Sequence, residues 1–244
     1  MTDHTRIDAL SPGTFSLDGE EIDFGPGESI LEAATRTGHY IPHLCWHPDF
    51  GAKGSCRLCT VKINGRIGAA CTVQAASGQE VFSNTEELNA QRKTLLQMIF
   101  IEGNHFCPSC EKSGNCKLQA TAYEMGMEGP HFEEFYPDRR VDASHPDLLL
   151  DLNRCILCSL CVRASHDVDR KDVFAIGGHG IHTHLLINSP SGKMVDSALT
   201  ATDRAANVCP VGAILHKRQG FCVPIGQRVF DIKPISAQIE ESKP

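Results

Sequence analysis

The segment "DLNRCILCSLCVRASHD" sets Cys155, Cys158 and Cys161 at strict three-residue intervals, and this spacing constrains the chain before anything else is read. Three thiolates so close together wrap three corners of a compact cube of iron and sulfide, whereas a structural zinc site more usually joins two separated C-x2-C knuckles. The fourth ligand must come from afar, and "NVCPVGAI" offers Cys209 followed by Pro210. Proline there removes a backbone donor and fixes the chain as it leaves the cluster. A second cluster would call for another cysteine shortly after the triplet, but position 165 is Ser. One [4Fe-4S] centre therefore fits this region, held by Cys155, Cys158, Cys161 and Cys209.

Two further constellations lie upstream. Cys45, Cys56, Cys59 and Cys71 form C-x10-C-x2-C-x11-C, and four thiolates at this spacing suit either two irons bridged by two sulfides or tetrahedral zinc. Three of them come from one loop, "CWHPDFGAKGSCRLC", in which Gly51, Gly54 and the small Ser55 let backbone N–H groups approach bridging sulfides. That favours a [2Fe-2S] centre and leaves zinc as the alternative. The middle set, "NHFCPSCEKSGNC", supplies Cys107, Cys110 and Cys116 but no fourth thiolate. An imidazole can replace a thiolate on iron, and His105 stands two residues ahead of Cys107. A lone histidine is ordinarily a hydrogen-bonding residue; the missing ligand is what raises the other role for His105. Cys222, in "QGFCVPIG", has no partner at cluster spacing and reads as a buried thiol. His179, His182 and His184 tempt a second-metal reading, but alternation of His182 and His184 beside "LLI" more simply gives the polar face of a strand.

The cysteine sets are read as metal ligands and not disulfides because "MTDHTRIDAL" has neither the basic nor the apolar region of a secretory signal, so a cytoplasmic location is expected. Stretches such as "LLQMIFI" are far short of the roughly 20 apolar residues that cross a bilayer. A formal charge of -7, mixed along the chain, with three Tyr and one Trp, offers nucleic acid neither a phosphate track nor stacking platforms. "GPG" at 25–27 lacks the third glycine of a dinucleotide fingerprint, and "IGGHG" at 176–180 lacks the G-K-[ST] of a phosphate loop. No Ser-His-Asp arrangement is readable. The clusters have nothing beside them to carry two-electron chemistry, so substrate sites belong on other subunits and no catalytic residue is expected here.

Short strands around one helix are predicted for residues 1–83, with hairpin turns at Asp18-Gly19 and Asn64-Gly65. In "GESILEAATRTG", Ser29 can cap a helix that Gly38 ends. "NTEELNAQRKTLLQMIFIEG" is the clearest helix, with Asn84 as N-cap and Glu87 as the N3 member of a capping box. Another helix starts near Cys116. A polar, proline-bearing connection at 128–147 precedes a region with a helix after Cys161, strands in "DVFAIG" and "IHTHLLI", and a helix around "ALTATDRAANV". The segment after 225 reads as an extended tail.

Taken in order, Cys45/56/59/71, "HFCPSCEKSGNC" and Cys155/158/161 with Cys209 resemble the N-terminal electron-transfer part of the large iron–sulfur subunit of respiratory NADH dehydrogenase. Related modules precede iron-only hydrogenases and some NAD-dependent formate dehydrogenases. The pattern is most similar to the iron–sulfur diaphorase, or gamma, subunits of soluble NAD-reducing nickel–iron hydrogenases, over roughly residues 14–225. The resemblance implies an α+β chain: a β-grasp ferredoxin domain at 1–83, a helical histidine-and-three-cysteine segment at 84–124, a ferredoxin-like domain at 125–225 and a tail at 226–244. It implies one [2Fe-2S] and two [4Fe-4S] clusters that relay electrons between a flavin- and NAD-binding diaphorase subunit and a hydrogenase small subunit, with the large subunit beyond. FMN, NAD and the nickel–iron centre would sit on those partners. The family places its histidine four residues before the first cysteine of the middle motif; that position is Gly103 here. The absence of a large molybdenum-cofactor-type domain by residue 244 favours the hydrogenase over the respiratory subunit, and an accessory formate dehydrogenase subunit is the near alternative. A zinc-stabilised structural protein is the alternative of a different class.

Overall fold

Asp18-Gly19 and Asn64-Gly65 both place two consecutive residues in the left-handed region, with φ of 49° and 91° in the first pair and 46° and 81° in the second. Such turns match the twist of the strands they join. In this computed structural model, which describes residues 11–240, they close the hairpins β1 (Gly13–Leu17) with β2 (Glu20–Phe24) and β5 (Thr60–Ile63) with β6 (Arg66–Ala69). Residues 1–10 and 241–244, which the expected first domain and tail include, lie outside the described residues.

The chain forms two compact units. The first takes in residues up to Leu95, with Glu124–Gly126 and the chain from Lys233 on; the second holds Leu96–Tyr123 and Met127–Ile232. In the first unit five strands run in the order β2-β1-β7-β5-β6, with β7 (Glu80–Phe82) parallel to β1 and the other pairs antiparallel. A two-stranded ribbon, β3 (Trp46–His47) with β4 (Gly51–Ala52), stands apart from that sheet. Helix α1 (Ile30–Arg36) lies on the main sheet. Ser29 caps it as expected, its Oγ accepting from the Glu32 N–H at 3.2 Å, and Glu32 completes a capping box, its Oε2 accepting from the Ser29 N–H at 2.7 Å. Ile30, Leu31, Ala33 and Ala34 turn inward against Phe15, Leu17, Ile22, Phe24, Val61 and Val81, all buried. The result is the β-grasp arrangement, a mixed sheet grasping one helix.

Helix α2 (Glu86–Glu102) starts one residue later than its sequence suggests. Thr85 caps it, its Oγ1 accepting from the Leu88 N–H at 3.3 Å. Asn84, the expected cap, is used otherwise: its N–H donates to the Asp18 carboxylate, and its Oδ1 accepts from Asn89 Nδ2 at 2.8 Å. Leu88 and Leu96 are buried, but Met98 is half exposed.

Arg92, only 2% exposed, is a polar side chain inside this core. It donates to the carbonyls of Leu58 at 2.9 Å, Ser83 at 2.7 Å and Thr60 at 2.9 Å, which fastens the backbone on both sides of Cys59 to α2. Arg92→Leu would orphan three buried acceptors. It is expected to destabilise the first unit by about 3 kcal/mol or more, seen as a lowered denaturation midpoint followed by circular dichroism; an unchanged midpoint would mean the carbonyls find other partners.

In the second unit, α3 (Lys117–Glu124) follows Cys116 as expected. Strands β8 (Val141–Asp142), β9 (Leu148–Asp151) and β12 (Ile214–His216) form an antiparallel sheet in the order β12-β9-β8. Helix α4 (Leu160–Arg163) continues into a wider turn over 164–168. The hairpin β10 (Phe174–Gly177) with β11 (His184–Ile187) and the short helix α5 (Arg204–Asn207) complete it. Asp169 caps α5 from a distance, its carboxylate accepting from the N–H groups of Arg204 and Ala205, each at 2.8 Å.

Three expectations need correction. The segment after 225 is not an extended tail: it carries α6 (Val229–Ile232) and α7 (Ile235–Glu240). The Phe230 N–H donates to Gly114 O at 2.9 Å, and Ile235 is buried, so contacts from distant parts of the chain outweigh the missing periodicity. Cys222 is exposed, its Sγ 3.7 Å from Gly220 O, and not a buried thiol. Only His184 lies on β11, on its exposed face; His182 ends the preceding turn.

Candidate metal centres

None of the twelve cysteines, all among the described residues, is in a disulfide. In the first unit Cys45 precedes β3, Cys56 and Cys59 lie in the loop between β4 and β5, and Cys71 follows β6. Hairpin and helix bring the distant member in. Ala70 N–H donates to Cys59 O at 2.9 Å, and Leu31 N–H of α1 donates to Ala70 O at 2.9 Å. The loop doubles back because Gly51, Gly54 and Arg57 adopt φ of 69°, 74° and 57°. A Cβ on Gly54 would also meet Thr72 Cγ2 at 3.1 Å, so the loop passes close to the residue after Cys71. The thiols form two hydrogen-bonded pairs. Cys45 accepts from Cys56 and Cys71 from Cys59, which holds Cys45 and Cys71 below the usual thiol range and pushes their donors above it. The Cys56 N–H also points at Cys45 Sγ, at 3.5 Å. Four sulfurs converge here with a backbone donor already turned toward them.

In the second unit, Cys107 and Cys110 bracket a single helical turn and Cys116 immediately precedes α3. Gly114 lets the chain reverse between them at φ 75°, and its N–H donates to Gln119 Oε1 of α3 at 2.7 Å. Burial first, then the neighbouring thiols Cys107 and Cys110, push Cys116 up to about 12. Burial likewise raises Cys107, with Cys110 adding to it. His105 and Cys107 line the same cavity of about 610 Å³. The His105 ring stands edge-on to Phe100 at 5.5 Å, and among the described residues its buried Nε2 has no hydrogen-bond partner. Burial, then the charges of Arg154 and Arg139, bring its pKa down to about 4. It is a neutral imidazole with a free lone pair or a single N–H, and a buried polar atom left so is costly unless something binds it.

Gly103 leaves room for the His105 ring. A Cβ at this position would fall 2.6 Å from His105 Nε2 and 2.8 Å from Asn153 O, so the imidazole of residue 105 fills the space beside residue 103. Asn153 O also accepts from the Asn104 N–H at 2.8 Å, which pins this stretch.

The last set is assembled by β-pairing. Strand β9 leads into Cys155 and β12 follows Cys209; their register, Leu150 opposite Ile214, brings the far cysteine to the triplet. Leu157 and Ser159 take φ of 53° and 60° on either side of Cys158, which curls the chain around one point. Cys155, Cys158, Cys161 and Cys209 line one cavity with Leu157, Val211 and Ile214. Burial, then the charges of Cys158, Cys209 and Cys155, push Cys161 well above its ordinary value. Ser165, where a second cluster would need cysteine, is fully buried and accepts from the Val173 N–H at 2.7 Å.

Sequence reading missed Arg154, whose guanidinium reaches Cys110; its position next to Cys155 was the available signal. It also missed Asp169, whose cap on α5 sets the chain that leads to Cys209.

A β-grasp unit with four convergent thiols, joined in one chain to two further thiol sets, defines an iron–sulfur electron-transfer protein. Residues 11–86 match a 2Fe-2S iron–sulfur cluster binding domain, 92–131 the NADH-ubiquinone oxidoreductase-G iron–sulfur binding region, and 148–215 a 4Fe-4S single cluster domain. The chain thus carries sites for one [2Fe-2S] and two [4Fe-4S] clusters, and the zinc reading gives way. It is 38% identical over 229 residues to the gamma subunit of the NAD-reducing hydrogenase HoxS of Cupriavidus necator, covering 93% of this chain and 97% of that one. It is 29% identical over 214 residues to the G subunit of the NADH-quinone oxidoreductase of Escherichia coli K12, covering 84% of this chain but 23% of the relative. A crystal structure of an NAD+-reducing [NiFe]-hydrogenase in the H2-reduced state contains a chain 58% identical, with a TM-score of 0.91, over 94% of this chain and 98% of that one. The chain belongs to the family of gamma subunits of NAD-reducing hydrogenases. No helix among the described residues is long and apolar enough to cross a membrane.

Proposed function

We propose that this chain is the electron relay of a cytoplasmic NAD-reducing hydrogenase, passing electrons between a hydrogenase small subunit and a flavin- and NAD-binding diaphorase subunit in support of H2 + NAD+ = NADH + H+. The observation that carries this is the coexistence of three separate cysteine sets in a chain of this family. Cys45, Cys56, Cys59 and Cys71 hold the [2Fe-2S] cluster. His105, Cys107, Cys110 and Cys116 hold one [4Fe-4S] cluster, and Cys155, Cys158, Cys161 and Cys209 hold the other. When bound, these clusters supply one-electron redox chemistry. The chain itself contributes the ligands, the apolar walls around the Cys155, Cys158, Cys161 and Cys209 set, and donors such as the Cys56 N–H aimed at ligand sulfur. It carries no catalytic residue of its own; FMN, NAD and the nickel–iron centre lie on partner subunits.

Anaerobically purified protein is expected to contain about ten iron atoms per chain, from one two-iron and two four-iron clusters, with matching acid-labile sulfide. Stoichiometric zinc with negligible sulfide would overturn the reading.

A further inference from the structure

Arg154 immediately precedes Cys155, yet its guanidinium reaches the other cysteine set. Its Nη1 donates to Cys110 Sγ at 3.7 Å and to Glu111 Oε2 at 2.6 Å. Its Nε pairs with Asp151 Oδ2 at 3.0 Å, and the side chain is 19% exposed. A planar fork held between two carboxylates has little freedom to turn away from the sulfur. The surrounding backbone is just as close. A Cβ on Gly212, three residues past Cys209, would fall 2.8 Å from Cys110 Sγ and 3.5 Å from Arg154 Cδ, so the Cys209 loop closes directly over that thiol. From the other side, the Lys117 N–H, next to Cys116, donates to Pro210 O at 2.8 Å. The loops carrying the two four-iron ligand sets are laced together here, and Arg154 is the side chain at the seam that reaches Cys110 Sγ.

We propose that Arg154 is the positioning residue that sets the redox potential of the cluster held by Cys107, Cys110 and Cys116, with Glu111 and Asp151 aiming its guanidinium at Cys110 Sγ. This rests on the ligand reading above. Reduction adds negative charge to the cluster and its sulfurs, so a cationic donor at a ligand sulfur stabilises the reduced form and raises the potential. The two carboxylates act with the opposite sign, and the arginine offsets them at the sulfur. Without it the Glu111 and Asp151 carboxylates would no longer be offset at that sulfur. The neighbouring cluster begins one residue away in sequence, but the guanidinium is aimed at Cys110 Sγ, so that neighbour is affected less.

The test is a spin-resonance redox titration of the assembled complex, with iron and sulfide analysis of each sample and with Cys158→Ser used to tell the two four-iron signals apart. Arg154→Gln is expected to keep its iron and to lower the midpoint of the Cys110 cluster by at least the equivalent of a tenfold change in a one-electron equilibrium, about 59 mV. The other four-iron midpoint should move less, and Arg154→Lys should recover part of the shift. Full iron content with an unmoved Cys110-cluster midpoint would overturn the proposal. Should Arg154→Gln lose the cluster, Arg154→Lys provides the second reading: it keeps the charge but cannot span both carboxylates and the sulfur, so its midpoint should fall below the parent's, and a midpoint equal to the parent's with full iron would overturn the proposal. A parent complex lacking this four-iron signal would instead refute the ligand reading.

Discussion

Replacing Cys158 by Ser is expected to abolish one four-iron signal and nearly all H2-dependent NAD+ reduction by the assembled complex, while the hydrogenase half still reduces an artificial dye. Cys158 sits at the tightest part of its loop, between two residues with positive φ, and lines the cavity shared with Cys155, Cys161 and Cys209. A serine oxygen there is a harder and far less acidic donor than a thiol, poorly matched to iron that prefers soft sulfur. Backbone geometry should survive the change of one atom, so the loss reports on the cluster and not on folding. Measurement of both activities on the same preparation separates the two halves. Undiminished coupled turnover, with the substitution verified, would place this cluster off the electron path.

His105 gives the second large effect. Its Nε2 is buried without a hydrogen-bond partner among the described residues, it shares a cavity with Cys107, and the neighbouring set of three thiols lacks a fourth member. His105→Ala should leave a labile or three-iron centre, because no described cysteine outside the other two sets stands in reserve except the exposed Cys222. His105→Cys should retain four irons and lower the midpoint, since a thiolate brings one more negative charge than a neutral imidazole. Gly103→His tests the same geometry from the opposite direction: any Cβ at 103 collides with the His105 ring, so the family's usual position cannot be filled without moving residue 105. Spin-resonance titration of His105→Ala beside the parent decides the matter, and an unchanged spectrum and midpoint would assign the fourth ligand elsewhere.

What the sequence made legible was local chemistry written in short intervals. The two Asx-Gly hairpins, the Ser29 cap and the cysteine sets depend mostly on residues a few positions apart, where turn sterics and ligand bite act directly. Cys209 was also foreseeable, because Cys-Pro carries its own signature; why it arrives at the triplet was not, since this depends on the pairing of β9 with β12 across more than fifty residues. The failures share that cause. Asn84 and Thr85 are both competent caps, and the choice fell to Asp18, which takes the Asn84 N–H from a distant hairpin. The short helices after 225 lack periodicity, and the contact of Phe230 with Gly114 is invisible in either segment alone. Arg154 looked like an ordinary charge beside a motif until folding set it against Cys110.

The relay itself is tested most directly by reducing the anaerobic parent complex from either end, with H2 in one sample and NADH in the other, and freezing both for spin resonance. The account predicts that the same two-iron and four-iron signals of this chain develop with both donors, and that in Cys158→Ser the two donors no longer give matching spectra. Signals that develop with one donor only in the intact parent complex would contradict it.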